Sequence, residues 1–456
     1  MSHSLTRRDV LAGAVALAAG PAVSALSASG DFEVVIVGAG AAGIAAARRI
    51  AAANRSYVVL EAANRAGGRI ASATRPSGAV YDRGANRFSA PIRNPLVAIA
   101  RTERLRVYEP PAGWRLYIGA REARDGEYDD FTVSLRRASR TIAAVAELGR
   151  DTTAARALPD LGDWQGTVAF VLGPLSCAKD LEDVSTVDLS RAEDRSNDIM
   201  LRDGTNALLM AATKPLAIEL NTAVQRIDTS SRRRVEIGTT KGTLTARTVV
   251  ITASTSVLAS DRIRFSPSLP ARSAEAFNRL SLGIYERIVF ELPGNPLRFN
   301  ADERVIFKTN DSRSLMFHMR VGGSDLVYAD IAGRFGRELS AAGEAAITNF
   351  IIEQLTEHFG SGTNIRINKI EVTRWSKEPW VLGGFSAAAP GAAASRRALM
   401  EPVSDRLFFA GEAAHETMWG TVAGAGLSGE RAAAAALRYL GVGVPQEPAA
   451  KAGRKS

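Results

Sequence analysis

The chain has 456 residues, enough to bury a sizeable core and to form two domains, and its 46% hydrophobic and 23% charged residues are ordinary for a globular protein. The net charge of +9 comes from arginines dispersed through acidic and apolar sequence, with no basic block interleaved with aromatics, which argues against a nucleic-acid partner. A single cysteine, Cys177, excludes an internal disulfide and a multi-cysteine metal site, and the four histidines are too scattered for a local metal pair.

Residues 1–28 read as an export signal: Arg7-Arg8, an Ala-rich apolar stretch, then small residues suited to cleavage near 24–28. Val10 stands where the usual twin-arginine pattern has Phe. The apolar run from Val10 to Leu26 is shorter than the ~20 residues that span a bilayer, and Gly20-Pro21 interrupts it, so no stable membrane anchor is expected. The signal implies the twin-arginine translocase as a partner and a periplasmic or secreted location. Export in the folded state suits a protein that acquires a cofactor first.

A strand–turn–helix–strand unit is predicted over 32–61. Within it "EVVIVGAGAAGIAAARRI" places Gly38, Gly40 and Gly43 after an apolar strand and at the start of an Ala-rich helix. Gly38 serves the tight turn, Gly40 lets a pyrophosphate approach backbone N–H groups, and Gly43 lets helix and strand pack closely. The helix N-terminus then favours the phosphate charge. The second strand, "YVVL", ends in Glu61, 18 residues past Gly43, where a carboxylate accepts hydrogen bonds from a ribose diol. A helix–strand contact that merely needs small residues is the plain alternative. Next comes "AANRAGGRI", in which Gly68 and Arg69 offer close backbone approach and a cation for a diphosphate. A nicotinamide cofactor does not need this second element; an extended FAD does.

Helices and mixed strands alternate over 90–220, a β-rich stretch covers 224–252, and a compact helix is predicted near 421–439. Cofactor-related segments thus fall at 29–90, 201–265 and 401–440, and the interposed 91–200 and 266–400 form a second domain. The tail 441–456 lacks an apolar face and reads as disordered. The fold class expected is α/β: a dinucleotide-binding, Rossmann-like FAD domain with a discontinuous α+β substrate domain.

Six blocks in order, "VVIVGAGAAG", "LEAANRAGGR", "IELNTAVQRID", "VVITASTSVL" with "IRFSPSLP", "RWSKEPWVLGGFSAAAPG" and "LFFAGEAAHETMWGTVAGAGLSGERAA", resemble the flavin-containing amine oxidase superfamily over nearly the whole chain after residue 28. The resemblance implies FAD held by Gly38, Gly40, Ala42, Gly43, Glu61, Ala62, Gly68, Arg69, Val224, Gly411, Glu412, Thr421 and Val422. Val224 would meet the adenine through its backbone, Glu412 would lie near the ribityl-diphosphate, and the last helix would point its N-terminus at the flavin. Where covalent members carry Cys after a Gly pair, this chain has Phe385, which implies noncovalent FAD. The aromatic cage of many members is replaced by Phe385 and Trp419, each either a substrate wall or core packing. Arg287 falls where many members have a lysine that holds a water at flavin N5; alternatively it is a solvent-facing strand charge. In "YDRGANRFSA", Arg87 resembles the arginine with which L-amino-acid oxidases bind the substrate carboxylate, although it equally suits a flavin phosphate or an acidic neighbour.

The activity implied is oxidation of an amine C–N bond to an imine that hydrolyses to a carbonyl. The substrate is a small-molecule amine or amino acid, and electrons pass to oxygen or another redox acceptor. Rival readings are an L-amino-acid oxidase using Arg87, a desaturase-like flavoenzyme and a non-catalytic flavin-fold binding protein.

Overall fold

A computed structural model describes residues 30–75, 78–360 and 367–443; the predicted signal and residues 444–456 of the predicted tail lie outside these, while Val442, at the start of that tail, packs on the core instead of being disordered. The first strand, β1 (Asp31–Val37), is the continuous apolar run of a strand covered on both faces. Val34 and Ile36 face one core and Val35 and Val37 the other, the period-two alternation of a strand. It pairs in parallel with β2 (Tyr57–Leu60) on one side and with β3 (Gly242–Ile251) on the other. The sheet continues through strands Val235–Thr239, Val224–Asp228 and Arg264–Ser266, and Leu407–Phe409 adds in parallel to β3.

Helix α1 (Ala41–Ala52) follows β1 directly, and the long final helix α2 (Val422–Tyr439) lies against it. Both are Ala- and Gly-rich, so their backbones approach closely: a Cβ on Gly429 would stand 2.1 Å from the Ala42 carbonyl oxygen. The result is the α/β, Rossmann-like architecture expected from the glycine motif.

A second sheet has the order Asn368–Val372, Tyr285–Glu291, Leu326–Ala332, Leu315–His318, Arg304–Phe307, Arg115–Ile118 and Arg121–Glu122. It is antiparallel except where Arg304–Phe307 runs parallel to Arg115–Ile118, and it has its own core around Phe290, Phe307 and Phe317. A 23-residue helix, Asp125–Glu147, packs on it through Phe131 and Ala138, which share a core cluster with Leu116, Ile306 and Met316. Among the described residues no helix is long and apolar enough to cross a membrane, and no cluster of His, Cys, Asp or Glu could hold a metal ion.

Candidate functional site

One cavity of about 960 Å³ runs from the β1–α1 turn to the second sheet. Its first half is the glycine cradle. Gly38 has φ +100°, and a Cβ on Gly43 would sit 1.9 Å from the Gly38 carbonyl oxygen, so helix and turn touch backbone to backbone. Gly40 has nothing within 4 Å of where a Cβ would be, which leaves room at the start of α1 for a phosphate group. Glu61 closes the end of β2, its carboxylate accepting from the backbone N–H of Ala39 (2.7 Å) and Ala63 (2.8 Å). Burial raises its pKa, and these two donors offset part of the rise. Ala42, Ala62, Gly68 and Val224 line the same half.

The middle of the cavity is held by a buried polar chain. Arg69 Nη1 donates to Glu412 (3.0 Å) and to the Gly384 carbonyl (2.6 Å). The Glu412 carboxylate also accepts from Ser386 Oγ (2.7 Å) and Gly420 N (2.9 Å). Burial pushes its pKa up, but the Arg69 charge, the Ser386 bond and the Arg396 charge outweigh that and hold it below the usual carboxylate value. Arg396 in turn donates to Ser386 Oγ (3.1 Å) and pairs bidentately with Asp188. Gly411 and Val422 line this part, and Thr421 caps α2 by accepting from Gly424 N (2.9 Å). The helix therefore begins at the cavity wall, where its dipole favours negative charge.

The far half holds the remaining sequence candidates, Arg87, Arg287, Phe385 and Trp419, all of which line the cavity. Arg287 is not solvent-facing: it is buried in the cavity wall. It pairs with Asp330 through Nε (2.8 Å) and Nη2 (2.9 Å), and its Nη1 donates to the Gly84 carbonyl (2.7 Å). The two residues are direct cross-strand partners, which fixes the fork. Trp419 is fully buried, with the Arg195 and Arg396 guanidinium carbons 4.6 and 4.8 Å from its ring centroid, and belongs to a core cluster with Ile142 and Cys177. It also lines the cavity, so both readings left open for it, wall and packing, have a footing here. Phe385 does face the cavity, but its aromatic partner is Tyr285, with ring centroids 5.4 Å apart. Gly283 N donates to the Phe385 carbonyl (2.9 Å), a backbone link between the segments that carry the two rings. Sequence reasoning missed Tyr285; its position two residues before Arg287 on one strand was the available signal, because i and i+2 share a face.

Arg87 sits beside Phe88–Ser89, which pairs antiparallel with Asp198–Leu201, and its Nη1 donates to Asp198 (3.0 Å). Of the readings left open for Arg87, the acidic neighbour is present. Its Nε and Nη2 have no partner among the described residues. Burial raises the Asp198 pKa, and Arg87 offsets part of that rise. Cys177 does not line the cavity, and burial pushes its thiol up to about 12, so it is no nucleophile.

His318 also lines the cavity, fully buried against Asp302 at 3.0 Å. Burial lowers its pKa to about 4 from 6.5, only partly countered by Asp302. A histidine held neutral in the folded chain adds no pH dependence above its unfolded value of 6.5. As pH falls from 6.5 towards 4 the unfolded chain takes up the proton first, so stability drops by about 3 kcal/mol across that window and this contribution is flat below it. Urea unfolding of the native chain and of His318→Asn at pH 7 and pH 4.5 checks this (the pH values span the window): the variant should lose less stability on acidification.

A glycine cradle, a carboxylate at the end of the second strand and one continuous cavity define a dinucleotide-dependent α/β protein with a substrate chamber. The orphaned donor of buried Asn86 and the open space at Gly40 and Gly411 fit an acceptor-rich cofactor such as FAD. The family described as flavin containing amine oxidoreductase matches residues 161–437, and the NAD(P)-binding Rossmann-like domain matches residues 36–101. The chain belongs to the flavin containing amine oxidoreductase family, and a flavin cofactor, FAD, follows from that membership. It is similar to lysine-specific histone demethylase 2 of Homo sapiens (27% identical over 448 residues, 88% of this chain and 53% of the relative). It is also similar to probable polyamine oxidase 4 of Arabidopsis thaliana (26% over 451 residues, 90% and 87%). The chain spans about half the length of the histone demethylase relatives it matches. Among solved structures, cyclohexylamine oxidase from Brevibacterium oxydans superposes with a TM-score of 0.77 at 21% identity, covering 90% of this chain and 100% of that one. Putrescine oxidase bound to putrescine gives 0.76 at 18% identity, covering 89% and 99%.

Proposed function

We propose that this protein oxidises the C–N bond of a small amine to an imine, which hydrolyses to a carbonyl, with FAD held noncovalently. The observation that carries the reading is the continuity of the cavity: Gly40 and Glu61 line the same space as the Tyr285–Phe385 pair. The flavin, when bound, supplies the two-electron acceptor for a hydride equivalent from the amine α-carbon and passes the electrons to oxygen or another acceptor. The protein's own work is placement. Tyr285 and Phe385 wall the amine and exclude water, while Asp330 holds Tyr285 through its hydroxyl at 3.0 Å. The N-terminus of α2 and the Arg69–Glu412 pair set the local charge. Arg287 commits Nε and Nη2 to Asp330 and Nη1 to the Gly84 and Asp82 carbonyls, which leaves one Nη2 hydrogen for a water in the cavity.

The polypeptide division that goes with this reading is a cofactor domain from 29–90, 201–265 and 401–440 and a substrate domain from 91–200 and 266–400. Arg7-Arg8 and the apolar run after them support export through the twin-arginine translocase to the periplasm or beyond.

The test is anaerobic bleaching of the bound flavin by a panel of amines and amino acids, which needs no assumption about oxygen. If no amine bleaches it, the reading fails. A second reading, an L-amino-acid oxidase, is favoured by the free Nε and Nη2 of Arg87 in the cavity wall. In the same assay Arg87→Met should cost an α-amino acid about tenfold or more in apparent affinity if that arginine binds its carboxylate, and should leave simple amines ahead if Asp198 is its only partner.

A further inference from the structure

Beyond the amine itself, the far end of the cavity has an unspent chemistry. Its carboxylates are occupied: Asp198 by Arg87, Asp330 by Arg287 and Tyr285, Glu193 by Thr417 and Arg93, and Asp194 by the N–H and hydroxyl of Ser196. Its donors are not. Arg304, at the start of the Arg304–Phe307 strand, spends only Nε, on the Gly113 carbonyl at 3.2 Å. Both Nη groups of Arg304 are without a hydrogen-bond partner among the described residues, and its guanidinium lies 5.5 Å from the ring centroid of Trp114. The Trp114 indole N–H is buried and also has no partner. Both residues line the cavity. Burial and the nearby Arg87 charge, partly countered by the Asp198 carboxylate, bring the Arg304 pKa down to about 10, so it stays a cation at neutral pH, and a second anion hydrogen-bonded to its free Nη groups would stabilise it further.

The approach to this end carries charges of both signs. On helix Asp125–Glu147, Ser139 and Ala143 line the cavity, and Arg136 and Arg140 share their face at i, i+3, i+4 and i+7 spacing. Both arginines are exposed and have no carboxylate partner among the described residues. Exposed Asp129 and Glu147 lie on the same face at the same spacing, so selection falls to the unspent donors of Arg304 and Trp114 rather than to the charge of the rim.

We propose that the substrate is an amine that carries an oxyanion, a carboxylate or a group of like charge and shape, at the end remote from the reacting carbon. Arg304 and the Trp114 indole N–H bind that oxyanion, and Arg304 determines specificity. This rests on the amine-oxidation reading for the reacting end, but the oxyanion seat stands on its own contacts. An arginine fork matches a carboxylate geometrically, and the indole N–H adds a neutral donor to the same group.

The test pairs ω-amino acids of three to six carbons with n-alkylamines of equal length, in anaerobic reduction of the flavin-loaded enzyme. The native enzyme should prefer the anionic member by about tenfold or more in apparent Kd. Arg304→Met should abolish the preference, and Arg304→Lys, which keeps the charge without the fork, should retain part of it. Flavin content and melting temperature identify a variant that has simply misfolded, and the lysine variant then decides. A native enzyme that prefers neutral amines overturns the proposal, as does an Arg304→Met variant that folds and keeps the anionic preference. If no amine reduces the flavin at all, the amine reading fails separately. The seat is then read by titrating the flavin absorbance with hexanoate against hexanamide: tighter binding of the acid, lost in Arg304→Met, supports it, and equal binding overturns it.

Discussion

Replacing Gly43 with valine is expected to give a chain that takes up little flavin and unfolds well below the native one. The first added atom would stand 1.9 Å from the Gly38 carbonyl oxygen and 3.2 Å from Thr252 Oγ1. Neither neighbour can give way cheaply. Gly38 is pinned by its own N–H, which donates to the Leu60 carbonyl at 2.8 Å, and Thr252 Oγ1 donates to the Val37 carbonyl at 2.8 Å. To admit a side chain, α1 must lift off the sheet, breaking its contact with α2 at Gly429 as well. Overpacking a tight interior costs about 1–3 kcal/mol where side chains can repack, and a backbone contact puts this site at the upper end or beyond. Gly40→Ala makes the contrasting case. Its φ of −77° suits any residue, and its Cβ meets nothing within 4 Å, so the fold should survive while the methyl enters the space left for the phosphate. The ratio of flavin absorbance to protein, with thermal melting of each apoprotein, separates the two. Loss of stability in Gly40→Ala, or full flavin content in Gly43→Val, would contradict this account of the cradle.

That contrast also marks what a sequence can disclose. The β1–α1–β2 unit was legible because its information is local: an apolar run, three glycines at fixed spacing and a carboxylate 18 residues on all lie within one supersecondary motif. Glu412 was legible only through resemblance, because its partner Arg69 is 343 positions away. Asp198 and Asp330 were not legible at all. Each is an ordinary carboxylate in an ordinary strand until the register sets Asp198 opposite Ser89 and Asp330 opposite Arg287. Trp419 was half legible for a related reason. Its place just before the glycine-rich helix start suggested the cavity wall, which it lines, but not the Arg195 and Arg396 guanidiniums beside its ring, contributed by two distant segments. Cation and aromatic spacing along a chain carries no record of which faces meet.

Asp330→Ala should destabilise the protein by about 3–5 kcal/mol, the usual cost of removing one partner from a buried ion pair. Asp330 is 2% exposed and Arg287 8% exposed, so water cannot replace the lost carboxylate. Two guanidinium donors and the Tyr285 hydroxyl would lose their acceptor together. The fall should appear as a lower urea midpoint. The native pair contributes much less than this figure, because bringing both charges out of water offsets most of their attraction. Arg287→Met combined with Asp330→Leu should therefore recover most of the stability lost by Asp330→Ala alone. Such a double variant removes the charge that needs a partner and fills the space with apolar atoms. It should not recover function. Tyr285 would still lack the hydrogen bond that orients it against Phe385, so anaerobic flavin reduction by an amine should remain slow even in a well-folded protein. Stability and reaction rate thus part company in this variant. If both return, the Arg287–Asp330 pair is only a structural tie. If neither returns, the strands from Tyr285 to Glu291 and from Leu326 to Ala332 depend on the charges themselves.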